Sequence, residues 1–146
     1  SAFTNAASIT IPTSGTKGAA TPYPSAISVT GVTGTVAKVT VTLAGLSHTY
    51  PDDLDVLLVG PGGQTVMLMS DVGGSPGIAS VTLTFDDSAS GSLSDSSAIA
   101  SGAYKPTNID TTTDNFPSPA PAGPGPHPRP TAGAPAAPGL LSRPDL

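Results

Sequence analysis

The sequence contains no cysteine, no tryptophan and no glutamate, and only five lysines and arginines in 146 residues. Each absence closes off a class of protein. Without cysteine there are neither disulfides nor thiolate metal sites, and the redox compartment leaves no mark on the chain. With so few basic residues and a formal charge of −5, nucleic acid is not an expected partner. The scarcity of glutamate, lysine and arginine also removes the strong helix formers, while threonine, valine, serine and glycine are plentiful, which favours strands and turns. No apolar run reaches the ~18 residues needed to cross a bilayer, and there is no Asn-x-Ser/Thr acceptor for glycosylation. The opening SAFTNAAS has no basic stretch followed by an apolar core, so any signal peptide is expected upstream of a module taken from a longer chain.

What is present reads as an all-β domain. Residues 8–12, SITIP, form a short β-branched run ended by proline, as an edge strand would. A second short strand is expected over residues 26–30. The alternation in TVAKVTVTLA, residues 35–44, predicts a half-buried strand with Ala37, Val39, Val41 and Leu43 inward and Lys38, Thr40 and Thr42 outward. Residues 54–59 are apolar on both faces except at Asp55, the mark of a central strand. Gly60-Pro61-Gly62-Gly63 predicts a type II turn with Gly62 at positive φ, and residues 64–69 return as the hairpin partner. Residues 79–85 alternate again, with Val81, Leu83 and Phe85 inward. About six strands separated by turn signals predict a β-sandwich over residues 5–116. Residues 70–78 and 86–97 are its long loops, where binding chemistry concentrates.

Catalytic patterns fail on mechanism. GGSPG at 73–77 matches the G-x-S-x-G of a nucleophile elbow, with His48 and Asp71 as paper partners, but no helix follows and Pro76 lacks the N–H an oxyanion hole needs. The GPGG turn lacks the lysine and the helix of a phosphate loop. Carboxylate pairs for glycoside hydrolysis have little aromatic support, with three tyrosines and three phenylalanines in all. His48 and His127 are the only imidazoles, too few for a multi-histidine zinc site.

The acidic residues carry the remaining signal. Asp52, Asp53 and Asp55 fall within four positions, and folding back at Pro61-Gly62 brings Asp71 towards them. Carboxylates that close repel one another, and a hard oxygen-ligated cation such as Ca2+ removes the conflict. The competing explanation is ordinary turn chemistry at Pro-Asp-Asp, with Asp55 a solvated outward residue. Asp86, Asp87 and Asp95 form a weaker second group that a solvated loop explains as readily.

The run SHTYPDDLDVLLVGPGGQTVMLMSDVGG, with VAKVTVTLAGL upstream, resembles the P domain (Homo B domain) of subtilisin-like proprotein convertases, especially its bacterial secreted relatives. The resemblance extends over about residues 8–116. It implies a jelly-roll-like antiparallel β-sandwich, often calcium-binding, that is not itself catalytic. Such a domain stabilises or positions a neighbouring protease or other catalytic domain of a secreted or cell-surface protein. The alternative function is an adhesion module for an extracellular protein or glycan. The family continues into further strands with a Gly-x-Trp motif, whereas residues 117–146 hold ten prolines, six alanines and four glycines. That tail is expected to be disordered or translated out of frame, leaving the sandwich without its last strands.

Overall fold

The computed structural model describes residues 1–12, 18–110, 113–121 and 139–144. Among the described residues eight strands carry the fold: β1 (Ser25–Ala26), β2 (Val41–His48), β3 (Leu54–Val59), β4 (Thr65–Ser70), β5 (Ile78–Phe85), β6 (Gly102–Tyr104), β7 (Thr107–Asn108) and β8 (Gly139–Pro144), with one 3-10 turn at Pro51–Asp53. They form two sheets, ordered β1-β8-β3-β4-β7 and β2-β5-β6. The class is all-β, as composition predicts. The pairings are mixed, because β7 runs parallel to β4 and β6 parallel to β5. Among the described residues no helix is long and apolar enough to cross a membrane.

The two sheets enclose the main core. Leu54 and Val56 of β3, Leu68 and Met69 of β4, and Ile78, Leu83 and Phe85 of β5 are its buried centre, joined by Val72, Leu93 and Ile99 from the loops. Each large side chain so buried contributes roughly 1.5–3 kcal/mol. The opposite face of β3 and β4 carries Leu57 and Met67, covered by Tyr23, Phe116 and Ala120. Both faces of β3 are therefore buried, which explains its nearly unbroken apolar run. The cover also places Asp55, which shares a face with Leu57 by the two-residue period, beneath the chain that follows β7.

The β3–β4 corner differs from the type II turn. Positive φ falls at Gly63 (81°), not at Gly62, and Gly63 N–H donates to Gly60 O at 3.0 Å while Gly60 N–H donates to Gln64 O at 2.7 Å. This is a tight turn closed by a left-handed glycine, the bulged hairpin geometry that suits strand twist.

The third expected strand is displaced. Residues 35–40 lie outside any strand, Val39 is exposed, and β2 begins only at Val41. Alternation in the sequence recorded residue types but not a partner. The β2–β5 ladder stops at Phe85↔Val41, and beyond it residues 35–40 meet the chain after β5 through the Lys38 side chain, on Asp86 and Ser88, in place of strand pairing. In place of a strand over 26–30 only Ser25–Ala26 pairs, and within 8–12 the only pairing is a bridge between Thr10 and Thr21.

The packed body also runs past residue 116. Pro117 O accepts a hydrogen bond from Tyr23 Oη at 2.9 Å, and β8 lies between β1 and β3. The edge of β3 that faces away from β4 is thus occupied. Residues 122–138 are outside the described residues, as are the expectations that fall on them. One further connection matters to the whole: only Lys105 and Pro106 separate β6 in one sheet from β7 in the other.

Candidate metal centre

Three carboxylates converge at the end of the β3–β4 hairpin. Asp55, Asp71 and Asp114 each place an oxygen within 4.8 Å of the others. They come from β3, from the residue after β4, and from the segment after β7.

A strand irregularity makes this meeting possible. Leu57 pairs with Met67 but Val56 pairs with Met69, so β4 carries one extra residue at Leu68. A bulge reverses the facing of the residues beyond it. Leu68 and Met69 both enter the main core, and Ser70 consequently turns to the outer face that Asp55 occupies. In an unbroken ladder Ser70 would share the facing of Leu68. Asp71 then adopts a left-handed backbone, φ 53°, a conformation that aspartate tolerates better than most residues. β7 completes the set by lying alongside β4, pairing Thr107 with Met69 and Asn108 with Ser70, so that the chain beyond it delivers Asp114 to the same place.

The Ser70 hydroxyl sits at the centre. Its Oγ lies 2.5 Å from Asp55 Oδ1, 3.0 Å from Asp71 Oδ2 and 3.1 Å from Asp114 Oδ2. A hydroxyl has one proton to donate. At any moment one carboxylate is satisfied by it and two face oxygen lone pairs. Asn108 Nδ2 donates to Asp114 Oδ2 at 3.3 Å, and the buried Asn108 Oδ1 has no hydrogen-bond partner among the described residues. Ser70 and Asp55 are both 0 % exposed and Asp114 is 6 % exposed, so water screens little of this repulsion. Burial is the main cause that pushes the Asp71 carboxyl up from its ordinary value; Ser70 opposes that shift, and Asp114, Asp110 and Asp52 add to it.

The donor set suits a hard cation. It offers carboxylate and hydroxyl oxygens and no sulfur or imidazole, and oxygens bound to one calcium at 2.3–2.6 Å are at most about 5 Å apart, which accommodates the 4.8 Å spread.

Of the acidic residues singled out in the sequence, the fold brings Asp55 and Asp71 together and leaves Asp52 and Asp53 on the adjoining 3-10 turn. With Val59 paired to Thr65 and one extra residue at Leu68, the ladder leaves Asp55, and not Asp53, beside Ser70. Asp52 acts on Asp71 and Asp53 through its charge alone. Partial burial raises the Asp53 carboxyl, His48 lowers it and Asp52 raises it.

The second group has separate fates. Asp86 Oδ2 pairs with Lys38 Nζ at 2.8 Å, and its Oδ1 accepts from Ser88 N–H and Oγ, each at 2.7 Å. These partners, with Lys38 first, hold its carboxyl down to about 2. Asp87 and Asp95 are exposed, and among the described residues no further group of three acidic or imidazole side chains gathers closely enough to share an ion. Asp114 was not among the residues that the sequence singled out. It lies in a polar stretch without period, and its signal depends on the parallel β4–β7 pairing, which local pattern does not reveal. No family model matches the chain, and neither a curated protein nor a solved structure matches it.

Proposed function

We propose that this chain is a non-catalytic accessory β-sandwich of a secreted multi-domain protein. In this reading it is stabilised by a calcium ion at Asp55, Asp71 and Asp114 and serves to position a neighbouring catalytic domain. The observation that carries the cation reading is the single Ser70 proton shared among three carboxylate oxygens in a buried site. A bound calcium supplies positive charge at the three carboxylates and ties β3, β4 and the segment after β7 to one point. Ser70 and Asp55 have no exposed surface, which favours a structural role over attack on a substrate. The likeness of residues 48–74 to the P domain supports the accessory role and the secreted setting.

Thermal melts of the full chain in calcium, in magnesium and in EDTA test the reading. A ligand at 100 times its Kd stabilises by about 2.7 kcal/mol, so calcium is expected to raise Tm by several degrees. Magnesium, which demands a stricter octahedral shell, is expected to do less. Equal melting temperatures in millimolar calcium and in EDTA would remove the cation from this account.

A further inference from the structure

β8 occupies an unusual position. The last described segment of the chain is not an edge strand; it lies inside the five-stranded sheet, between β1 and β3. It meets β3 at six register positions, from Leu54↔Pro144 to Val59↔Gly139, whereas the hairpin partner β4 meets β3 at four. Its other edge holds β1 through Ser25↔Leu140 and Ala26↔Gly139.

Both walls of this gap are held by contacts that do not involve β8. β3 is fixed by β4 and by its two buried faces. β1 is fixed by Asn5 Nδ2, which donates to Ala26 O at 2.9 Å and to Ser25 Oγ at 3.2 Å. Just upstream, Tyr23 packs on Leu57 and Met67 and bonds Pro117 O, and Thr10 and Thr21 exchange two backbone hydrogen bonds of 2.8 Å. A gap one strand wide, bounded by two polar backbone edges, is a template for an incoming strand.

The connection allows the strand to come from elsewhere. Residues 122–138 include six prolines. A proline-rich chain of that length spans up to roughly 50 Å at ~3.1 Å per residue, more than the ~30 Å width of a small domain. The same six-residue ladder then forms within one molecule or between two, and exchange of identical elements is a low-cost route to a dimer.

We propose that the gap between β1 and β3 is a strand-acceptor groove, and that two copies of this chain exchange residues 139–144 through it to form a dimer. The proposal does not rest on the cation reading, although one of the three carboxylates, Asp55, lies on the groove's β3 wall in register with Arg143. Closure within one chain competes at an effective concentration in the millimolar range, so the exchanged form grows as protein concentration approaches about 1 mM.

The test measures the mass of the intact chain by light scattering from about 10 µM to about 1 mM, together with native mass spectrometry of a mixture of isotopically light and heavy chains. The expected result is a dimer fraction that rises with concentration, with mixed dimers after incubation. Deleting residues 126–135 shortens the connection and is expected to shift the chain to dimer at micromolar concentration. Leu141→Pro removes a backbone donor from the ladder and is expected to abolish the dimer in both backgrounds. If Leu141→Pro fails to fold, the deletion alone still decides. A chain that is monomeric throughout, with the deletion also monomeric, overturns the proposal, and so does a dimer that survives Leu141→Pro.

Discussion

Asp86 and Asp71 are the same residue type placed in opposite circumstances. Asp86 lies at the surface with an ammonium on one oxygen and serine donors on the other, and its carboxyl is held down to about 2. Asp71 lies beside two further carboxylates around a single hydroxyl, and burial pushes its carboxyl up. The first site carries its own counter-charge; the second gathers three carboxylates around one neutral hydroxyl. A chain with few basic residues leaves such an excess in place only if protons or a cation neutralise it, so the contrast can be tested by altering the supply of either.

Removing the hydroxyl donor at the centre of the cluster should have the largest effect. Ser70→Ala leaves three carboxylates with no hydroxyl between them and is expected to cost about 2–3 kcal/mol in EDTA. Most of that loss should be recovered in saturating calcium, as read from urea unfolding midpoints. Next is Asp114→Asn, which relieves one charge. In EDTA it should melt above the wild type, by the equivalent of about 1–2 kcal/mol, while losing most of the calcium response. The reverse order, a variant less stable in EDTA with its calcium response intact, would mean that Asp114 is not part of the binding set.

The two aspartates also pull the pH profile in opposite directions. A carboxyl raised on folding binds protons more tightly in the native state, so its contribution improves as pH falls from neutral through its folded value. A carboxyl lowered on folding contributes fully above the unfolded value and loses that contribution as pH falls towards about 2. In EDTA, stability should therefore rise on mild acidification and decline in stronger acid. Calcium should remove the rise, because bound cation and bound proton compete for the same oxygens. Denaturant midpoints across pH 3–8 check the sign. The smallest effect belongs to Asp86→Asn. Its exposed, screened pair is expected to lower Tm only slightly at neutral pH, to flatten the decline in stronger acid, and to leave the calcium shift unchanged.

The hairpin and the meeting of Asp55 with Asp71 were legible because they depend on local signals: a two-sided apolar run, a Gly/Pro corner and a return strand. The rest depended on distant partners. Ala37 and Val39 fit a strand by period, yet the ladder with β5 starts at Val41 and both side chains are exposed. Asp52 and Asp53 read as closer to Asp71 than they are, because a bulge at Leu68 adds a residue that no spacing rule foretells. Asp114 arrives through parallel pairing across a long sequence separation, and β8 enters the sheet after a proline-rich stretch that by composition belongs outside any core.

The two-residue step from β6 to β7 has a mechanical consequence. Tension applied beyond Asn108 loads the Thr107–Met69 seam in one layer first and then, through Lys105 and Pro106, the Tyr104–Phe85 seam in the other. Lys105 and Pro106 act as a rivet through the two plates, so the layers cannot slide past each other until one of these short parallel seams has torn.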